Sequence, residues 1–257
     1  MAAISVERDD DEPIATITIS NPERKNALSQ AGMQELAEAF GDLHGDDDVR
    51  CVVLTGEGDA FCSGADLSSV GTTPTAESID RNFHEAVRQI MTASVPVIAK
   101  VDGPAVGAGA SVATACDFVY ASKSARIGFL FSNIGLTADS GATFILPRLV
   151  GVQKAMDLLV SGDVLDAEQA DEIGLLTEVV ADGHLDERVR ERAVEVANGP
   201  TRAYASIRRL LLRSNGNSLE EQLDMEAREQ ERMFQTADVM EGIGAFVEDR
   251  EPEFQGK

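Results

Sequence analysis

The sequence predicts an α/β fold whose strands pair mainly in parallel. Short apolar runs have the length and composition of strands, glycine-rich turns follow several of them, and segments with helical apolar spacing come after the turns. This alternation is typical of parallel sheets, which bind ligands at the ends of their strands. The chain of 257 residues, 43% of them hydrophobic, is long enough to bury a large core.

The N-terminal part predicts two strands, one helix and a further buried strand. The runs AISVE and IATITI read as the first two strands, separated by a polar turn. Ser29 is placed to cap a helix. The apolar residues of that helix follow helical spacing at Met33, Leu36, Ala37, Phe40 and Leu43. The run RCVVLT then predicts a buried strand that leads into a glycine-rich loop.

The same order of elements returns in the middle of the chain. A helix is expected through Ile79, Phe83, Val87 and Ile90. It is followed by three further segments, a strand PVIAKVDG, a small-residue turn and helix PAVGAGASVATAC, and a strand DFVYAS. The stretches Arg50 to Leu67 and Pro96 to Ala113 each run from a strand through a Gly/Ala turn towards a helix. We therefore predict two copies of one structural unit.

The C-terminal part is predicted to be helical. Helices are expected near 153–161, 167–173, 185–198, 201–214 and 218–234. We divide the chain into an α/β core of residues 1–195 and a C-terminal helical region of residues 196–257. Few strands remain for these helices to cover, which favours packing on a neighbouring subunit as well as on the core.

The charge of the chain excludes several classes of partner. There are 22 basic and 45 acidic residues, giving a formal net charge of −23 at pH 7. Such a surface repels phosphate backbones and anionic lipid, so we expect neither nucleic acid nor membrane as a partner. The three cysteines lack the spacing of metal ligands, and we find neither a signal peptide nor an apolar run long enough to span a membrane. We expect a cytoplasmic protein without a metal centre.

Two glycine-rich turns, FCSGADL and GPAVGAGAS, place small residues where the backbone must approach another group closely. Peptide N–H groups are accessible in such turns, and a helix start directs them outward. Two of these groups, one from each turn, can form an oxyanion hole, in which each donor lowers the barrier by about 3 to 4 kcal/mol. Close packing alone is the alternative explanation for either turn.

Five motifs of the sequence together resemble the enoyl-CoA hydratase/isomerase, or crotonase, superfamily. They are NPERKNALS, VVLTGEGDAFCSGADL, KVDGPAVGAGASVATACDFVYAS, GLTADSGATFILPRLVG and EGIGAFVEDREPEF, and they cover nearly the whole chain in this order. The resemblance implies a crotonase-like spiral of repeated ββα units with a C-terminal helical region that builds homotrimers, often paired into hexamers. It also implies an acyl-CoA thioester as substrate, with no further cofactor.

The resemblance assigns residues to a site. The two N–H groups that polarise the thioester carbonyl map to Ala65 and Ala108, where they would stabilise an enolate. The matching positions for the CoA arm are Arg24, Lys25 and Ala27, and those along the pantetheine path, beside Ala65, are Ser63, Asp66 and Leu67. The predicted substrate-binding set is completed by Gly107, Ser111, Phe131 and Ile134.

The carboxylates of the predicted site favour one reaction of the family. The two glutamates of its classical hydratases correspond here to Ser111 and Phe131, which cannot activate water and protonate carbon. Asp139 matches a functional aspartate of the family's double-bond isomerases, including those of phenylacetate degradation and the dienoyl-CoA isomerases. We predict that Asp139 moves a proton between carbons, and that burial by Phe131, Ile134 and Leu136 raises its pKa.

Other functions stay open at this point. The nearest is an enoyl-CoA hydratase of fatty-acid or aromatic-acid degradation, and a different class is a catalytically silent protein that binds CoA esters or a partner. Asp139 can instead cap a helix that begins near Ser140. His84 is either a solvated residue or, facing Asp139, the activator of water in a dehalogenase-type reaction. A nucleophilic Ser111 would lack a base, because no histidine lies within the motifs.

Overall fold

The computed structural model describes residues 3–66 and 75–257, and it shows an α/β core followed by helices. The strands are β1 (Ala3–Arg8), β2 (Ile14–Ser20), β3 (Cys51–Gly56), β4 (Val97–Val101), β5 (Pro104–Val106), β6 (Phe118–Ser122), β7 (Arg126–Gly128), β8 (Val164–Asp166) and β9 (Glu178–Val180). The helices are α1 (Gln30–Leu43), α2 (Ala76–Ile79), α3 (Glu85–Thr92), α4 (Ala108–Thr114), α5 (Ala142–Ser161), α6 (Ala167–Glu172), α7 (Leu185–Ala197), α8 (Thr201–Ser214), α9 (Leu219–Met233) and α10 (Ala237–Glu248). A π-helical turn, Asp80–His84, joins α2 to α3.

The strands form two sheets. The large sheet has the order β1-β2-β3-β4-β6-β9, in which β1 and β2 are antiparallel and every other neighbouring pair is parallel. The small sheet has the order β5-β7-β8. The predicted α/β class and the predicted parallel pairing are therefore confirmed.

The repeated unit contributes one strand to each sheet. β4 belongs to the large sheet and β5 to the small one, and α4 follows directly. β6 and β7 repeat this order of strands. After β3 the chain likewise reaches the small sheet, because Cys62 pairs with Ala105 of β5 through an isolated parallel bridge. The similarity predicted for the two stretches thus reflects two equivalent passages from one sheet to the other.

The inner strands of the large sheet are buried on both faces. On β3, Val52 and Leu54 belong to the main core, which also includes buried residues of α1, α3 and α4. Cys51 and Val53 point to the opposite face and pack in a second cluster with residues of α7. Burial on both faces explains why the inner strands read as continuous apolar runs rather than as alternating patterns.

Several elements differ from the sequence-based expectation. Four strands of three residues each, β5, β7, β8 and β9, were not predicted, because such short segments show no period. The helix expected near 153–161 is the second half of α5, which begins at Ala142 and is interrupted at Gly151 by a non-helical φ of 77°. The domain boundary predicted after residue 195 falls within α7 and stays a prediction.

The C-terminal helices expose apolar side chains. On α10, Met240, Ile243, Phe246 and Val247 are all exposed, and Phe246 is 88% exposed. Phe246 is therefore not a core residue of this chain. Among the described residues, no helix is both long enough and apolar enough to cross a membrane.

Arg208 fastens α8 to the core through a nearly buried guanidinium. It donates to the Asp117 carboxylate at 2.6 Å and to the carbonyls of Ile90, Ala93 and Val95, which lie between the last turn of α3 and the start of β4. Burial raises the pKa of Asp117, and the Arg208 charge opposes that shift. Removal of the guanidinium would leave the partly exposed Asp117 carboxylate and three carbonyls without this donor.

We expect Arg208→Met to lower the free energy of unfolding by about 1.5 to 3 kcal/mol, the usual contribution of hydrogen bonds made by a charged group. Urea denaturation at a fixed protein concentration measures this loss.

Arg213→Met, at an exposed position of the same helix, is the matched control and should change the free energy of unfolding by less than about 0.5 kcal/mol. Equal effects of the two substitutions would show that the Arg208 contacts are not what fastens α8.

Candidate active site

The two glycine-rich turns lie side by side. The peptide N–H groups of Phe61 and Cys62 both donate to the carbonyl of Pro104, at 3.1 and 3.0 Å, and Val106 N–H donates to the carbonyl of Cys62 at 2.9 Å. The first turn follows β3 and the second follows β5. These hydrogen bonds bring together two segments that are about 40 residues apart in the sequence.

Glycines permit an unusually close approach of the two turns. A Cβ on Gly64 would lie 2.8 Å from the Val106 carbonyl oxygen and 3.5 Å from the amide nitrogen of Ala108, and Gly64 has a φ of +96°. A Cβ on Gly109 would lie 2.2 Å from the Cys62 carbonyl oxygen. Since neither position has room for a side chain, the glycines serve this contact.

The amides of Ala65 and Ala108 are both available in this arrangement. Ala108 is the first residue of α4, so its N–H has no acceptor within the helix. Ala65 forms a parallel bridge with Leu28, in which Leu28 bonds to the residues on either side of Ala65 and leaves the Ala65 N–H directed away. Among the described residues, no acceptor contacts either amide.

The loop that carries Arg24, Lys25 and Ala27 lies against the first of these turns. Ser63 donates from its amide to the carbonyl of Lys25 at 2.9 Å and from its hydroxyl to the carbonyl of Arg24 at 2.8 Å. The Arg24 guanidinium pairs with the Asp66 carboxylate at 2.8 Å. Five of the predicted substrate-binding residues are thus brought together, counting Ala27 beside Lys25. Leu67, which was also predicted to bind CoA, lies outside the described residues.

Asn26 holds this loop and was missed by the sequence analysis. It is fully buried, with a φ of 58°. Its side-chain amide donates to the carbonyls of Glu57 and Ala60 at 2.8 and 2.7 Å, and its side-chain oxygen accepts from the amide of Asn21 at 2.8 Å. Asparagine tolerates the left-handed conformation and supplies donors and an acceptor together. In the sequence, Asn26 is an asparagine between charged and apolar residues, and this context does not indicate that its side chain is buried and hydrogen-bonded.

Asp139 lies in the turn before α5 and is half-buried. The helix begins at Ala142 with Gly141 as its N-cap residue, and no side chain caps it. The backbone carbonyl of Asp139, not its carboxylate, accepts from the amide of Ala142 at 3.0 Å. The capping interpretation of Asp139 is therefore wrong. Burial raises the pKa of Asp139, while a hydrogen bond from Ser140 and the charge of His84 oppose the shift.

His84 is on the π-helical turn that precedes α3, and this helix packs against the Asp139 turn. A Cβ on Gly141 would lie 3.0 Å from a methyl group of Val87, one turn after His84. The Nδ1 atom of His84 is 3.3 Å from a carboxylate oxygen of Asp80. The charge of His84 thus acts on Asp139 through space, whereas its own hydrogen-bond partner is Asp80.

The remaining predicted residues differ in burial. Ser111 is fully buried in α4 and donates to the carbonyl of Gly107 at 3.3 Å, so its hydroxyl is already engaged. Gly107 is the N-cap residue of α4, with a φ of 57°. Phe131 is buried, whereas Ile134 is 57% and Leu136 51% exposed. The predicted part of Ile134 and Leu136 in the burial of Asp139 stays a prediction.

A cavity of about 520 Å³ lies away from these residues. It is lined by side chains of α5 and α8, among them Phe144, Leu149, Ile207 and Leu211, and by the buried end of Arg208. Neither Asp139 nor the two glycine-rich turns line this cavity. We assign it no part in the chemistry of the candidate site.

Known proteins share both the sequence and the fold. The family model described as enoyl-CoA hydratase/isomerase matches residues 9–257. The chain belongs to the enoyl-CoA hydratase/isomerase family. The 1,2-epoxyphenylacetyl-CoA isomerase of Escherichia coli is 37% identical over 250 residues, which are 95% of each chain. A protein of Rhodobacter capsulatus named "Probable enoyl-CoA hydratase" is 40% identical over 248 residues, 96% of each chain.

The crystal structure of an enoyl-CoA hydratase from Bacillus anthracis superimposes with a TM-score of 0.92 at 30% identity and covers 99% of each chain. The predicted membership of the family and the predicted crotonase-like fold are thereby confirmed. The names of the relatives include both hydratases and isomerases, so the family alone leaves the reaction of this chain undecided.

We expect Gly64→Ala to lower kcat on an enoyl-CoA by about 10²-fold, the cost of losing one oxyanion donor. The new Cβ would push against the backbone of the second turn, 2.8 Å from the Val106 oxygen, and so displace one amide relative to the other. Steady-state kinetics on 2-enoyl-CoA and 3-enoyl-CoA measures the loss.

Gly58→Ala is the matched control, since Gly58 also has a positive φ, +73°, but its Cβ would meet nothing within 4 Å. It should cost stability through backbone strain and leave kcat near the wild-type value. A similar fall of kcat in both variants would contradict the role given to the contact between the turns.

Proposed function

We propose that the protein is an enoyl-CoA isomerase, which moves a carbon–carbon double bond along the acyl chain of a CoA thioester. One observation carries the proposal: Asp139 is a half-buried carboxyl with a raised pKa, while Ser111 and Phe131 occupy the positions that match the two glutamates of classical hydratases. With one acid–base group at the assigned positions, transfer of a single proton between two carbons is the simplest chemistry.

In the proposed reaction, the amides of Ala65 and Ala108 bind the thioester oxygen. The Asp139 carboxylate removes a proton from C2 of a 3-enoyl-CoA, and the electron pair moves onto the thioester oxygen as a dienolate. The protonated Asp139 then returns the same proton to C4, which gives the 2-enoyl-CoA. No atom or electron is gained or lost, so the step requires no cofactor beyond the CoA of the substrate.

The pKa of Asp139 suits this proton transfer. An ordinary aspartate, with a pKa of about 3.9, is a weak base. Burial raises the pKa of Asp139, so the carboxylate is a stronger base once ionised. The carboxylate is the form that must be present at the start of the cycle, so activity falls as the pH drops through this raised pKa. The fall should begin at a higher pH than an exposed aspartate would give.

The names of the relatives support both candidate reactions, and hydratase names are the more common. The name of the Escherichia coli relative supports isomerisation, in its case of an epoxyphenylacetyl-CoA. The name of the Rhodobacter capsulatus relative supports a second candidate, the hydration of an enoyl-CoA. Hydration needs an acid and a base that act together on water and carbon. Serine and phenylalanine at the matched positions supply neither, and this favours isomerisation.

We further propose a homotrimer or homohexamer in the cytoplasm. The exposed apolar side chains of α10, including Met240, Ile243 and Phe246, support an assembly through the C-terminal helices, because surfaces of this kind are seldom left in contact with water. The acidic surface supports a small-molecule substrate rather than nucleic acid or membrane.

We expect Asp139→Asn to lower kcat for the conversion of 3-enoyl-CoA into 2-enoyl-CoA by about 10² to 10⁴-fold, the usual contribution of a general acid–base group. Asparagine keeps the shape but cannot take up the proton. The absorbance of the conjugated product measures the rate, and calorimetric titration with a non-reacting acyl-CoA should show nearly unchanged affinity.

Asp171→Asn, at an exposed position of α6, is the matched control and should keep the wild-type rate. Full isomerase activity of the Asp139 variant would refute the proposal. Rapid hydration of 2-enoyl-CoA without isomerisation would favour the second candidate. Failure of the wild-type protein to bind any acyl-CoA would favour a catalytically silent protein.

A further inference from the structure

Ser140 has an unusual backbone conformation for its residue type. Its φ is +50°, and it is one of four described non-glycine residues with a positive φ, the others being Lys25, Asn26 and Asp249. Of these four, Asn26 and Ser140 are fully buried. A positive φ strains a residue that carries a Cβ, and glycine would avoid this strain. Strained conformations of this kind cluster at functional sites.

The hydroxyl of Ser140 is directed to one partner. It donates a hydrogen bond to Oδ1 of Asp139 at 2.9 Å. It does not cap α5, whose N-cap residue is Gly141. Among the described residues, this carboxylate oxygen is its one hydrogen-bond acceptor. The buried side chain of Asn26, by comparison, makes three hydrogen bonds that hold a loop together.

The geometry points to Ser140 as a positioning residue, whose hydroxyl fixes the Asp139 carboxylate by holding Oδ1 and leaves Oδ2 as the oxygen that carries the proton. This inference rests on the proposed function of Asp139. A carboxylate with one oxygen held cannot rotate freely, so the second oxygen keeps one orientation throughout the transfer. Ser140 makes this hydrogen bond from a left-handed backbone conformation.

The charged groups near Asp139 come from a single neighbouring element. The charge of His84, on the turn before α3, lowers the pKa of Asp139. Three charged residues lie around His84 and form ion pairs with one another or with it, namely Asp80, Glu85 and Arg88. None of these groups donates a hydrogen bond to Asp139. The effects of the Ser140 hydroxyl and of this charge cluster can therefore be separated by substitution at position 140.

Two variants, Ser140→Gly and Ser140→Ala, test the inference. Both remove the hydroxyl, but glycine relieves the positive φ whereas alanine keeps it. We expect kcat for isomerisation to fall about tenfold or more in both, with KM nearly unchanged. The acidic limb of the pH–rate profile should move to higher pH, because the lost hydrogen bond had favoured the carboxylate form.

A second measurement is independent of turnover. Titration of the Asp139 carboxyl by carbon-13 NMR, with Asp139→Asn used for assignment, should show a higher pKa in Ser140→Gly than in the wild-type protein. If Ser140 were only structural, Ser140→Ala would lose stability while Ser140→Gly kept both the wild-type kcat and the wild-type titration.

A wild-type kcat and titration in Ser140→Gly would overturn the inference and leave the proposed function intact, provided that Asp139→Asn is inactive. Full activity in Asp139→Asn would instead overturn the proposed function itself.

Discussion

The close contact between two backbone turns is the constraint on which the candidate site depends. At Gly64 and Gly109 the peptide groups of one turn lie where a Cβ of the other would stand. The contact is held by strand-like hydrogen bonds between Phe61, Cys62 and the segment that begins at Pro104. The first turn follows β3 of the large sheet and the second follows β5 of the small sheet, so these hydrogen bonds also fix the separation of the two turns. The amides of Ala65 and Ala108 therefore do not have to be organised at the moment of reaction, which is the condition for strong electrostatic stabilisation.

The proposed acid–base group, Asp139, has a different kind of support. Asp139 is not held by the sheet but lies in a short turn between a 3₁₀ helix, Leu130–Ile134, and α5, and its pKa depends on the groups that pack on that turn. Burial favours the protonated form, whereas the Ser140 hydroxyl and the His84 charge favour the carboxylate. A carboxyl group whose pKa is subject to such opposing effects can both take up and release a proton. A site with rigid amides and a tuned carboxyl is suited to reactions in which charge develops on an oxygen while a proton moves nearby.

The sequence predicted those features that have a period or a motif. Most of the long helices, the five strands with clear apolar runs and the cap at Ser29 were found from local patterns, and the cap is present as a bond from the amide of Gly32. The first half of α5 and the whole of α10 were not among the predicted helices. The four short strands could not be found, because three residues carry no period and their pairing is non-local. The roles of Asn26 and Ser140 were not predicted from the sequence, for another reason. Both act through hydrogen bonds made from a backbone with a positive φ, and neither residue belongs to a periodic pattern that a sequence could reveal.

The ion pair between Arg24 and Asp66 has a consequence for how an anion would arrive. The chain carries a net charge of −23, and one of the two cations of this loop is already neutralised by a carboxylate of the same site. An anionic ligand approaching through bulk solvent is therefore repelled at long range, and within this loop the exposed Lys25 attracts it at short range. Added salt shortens the reach of that repulsion, with a Debye length of about 10 Å at 0.1 M. Encounter should accordingly become faster as ionic strength rises, the opposite of what basic nucleotide-binding proteins display.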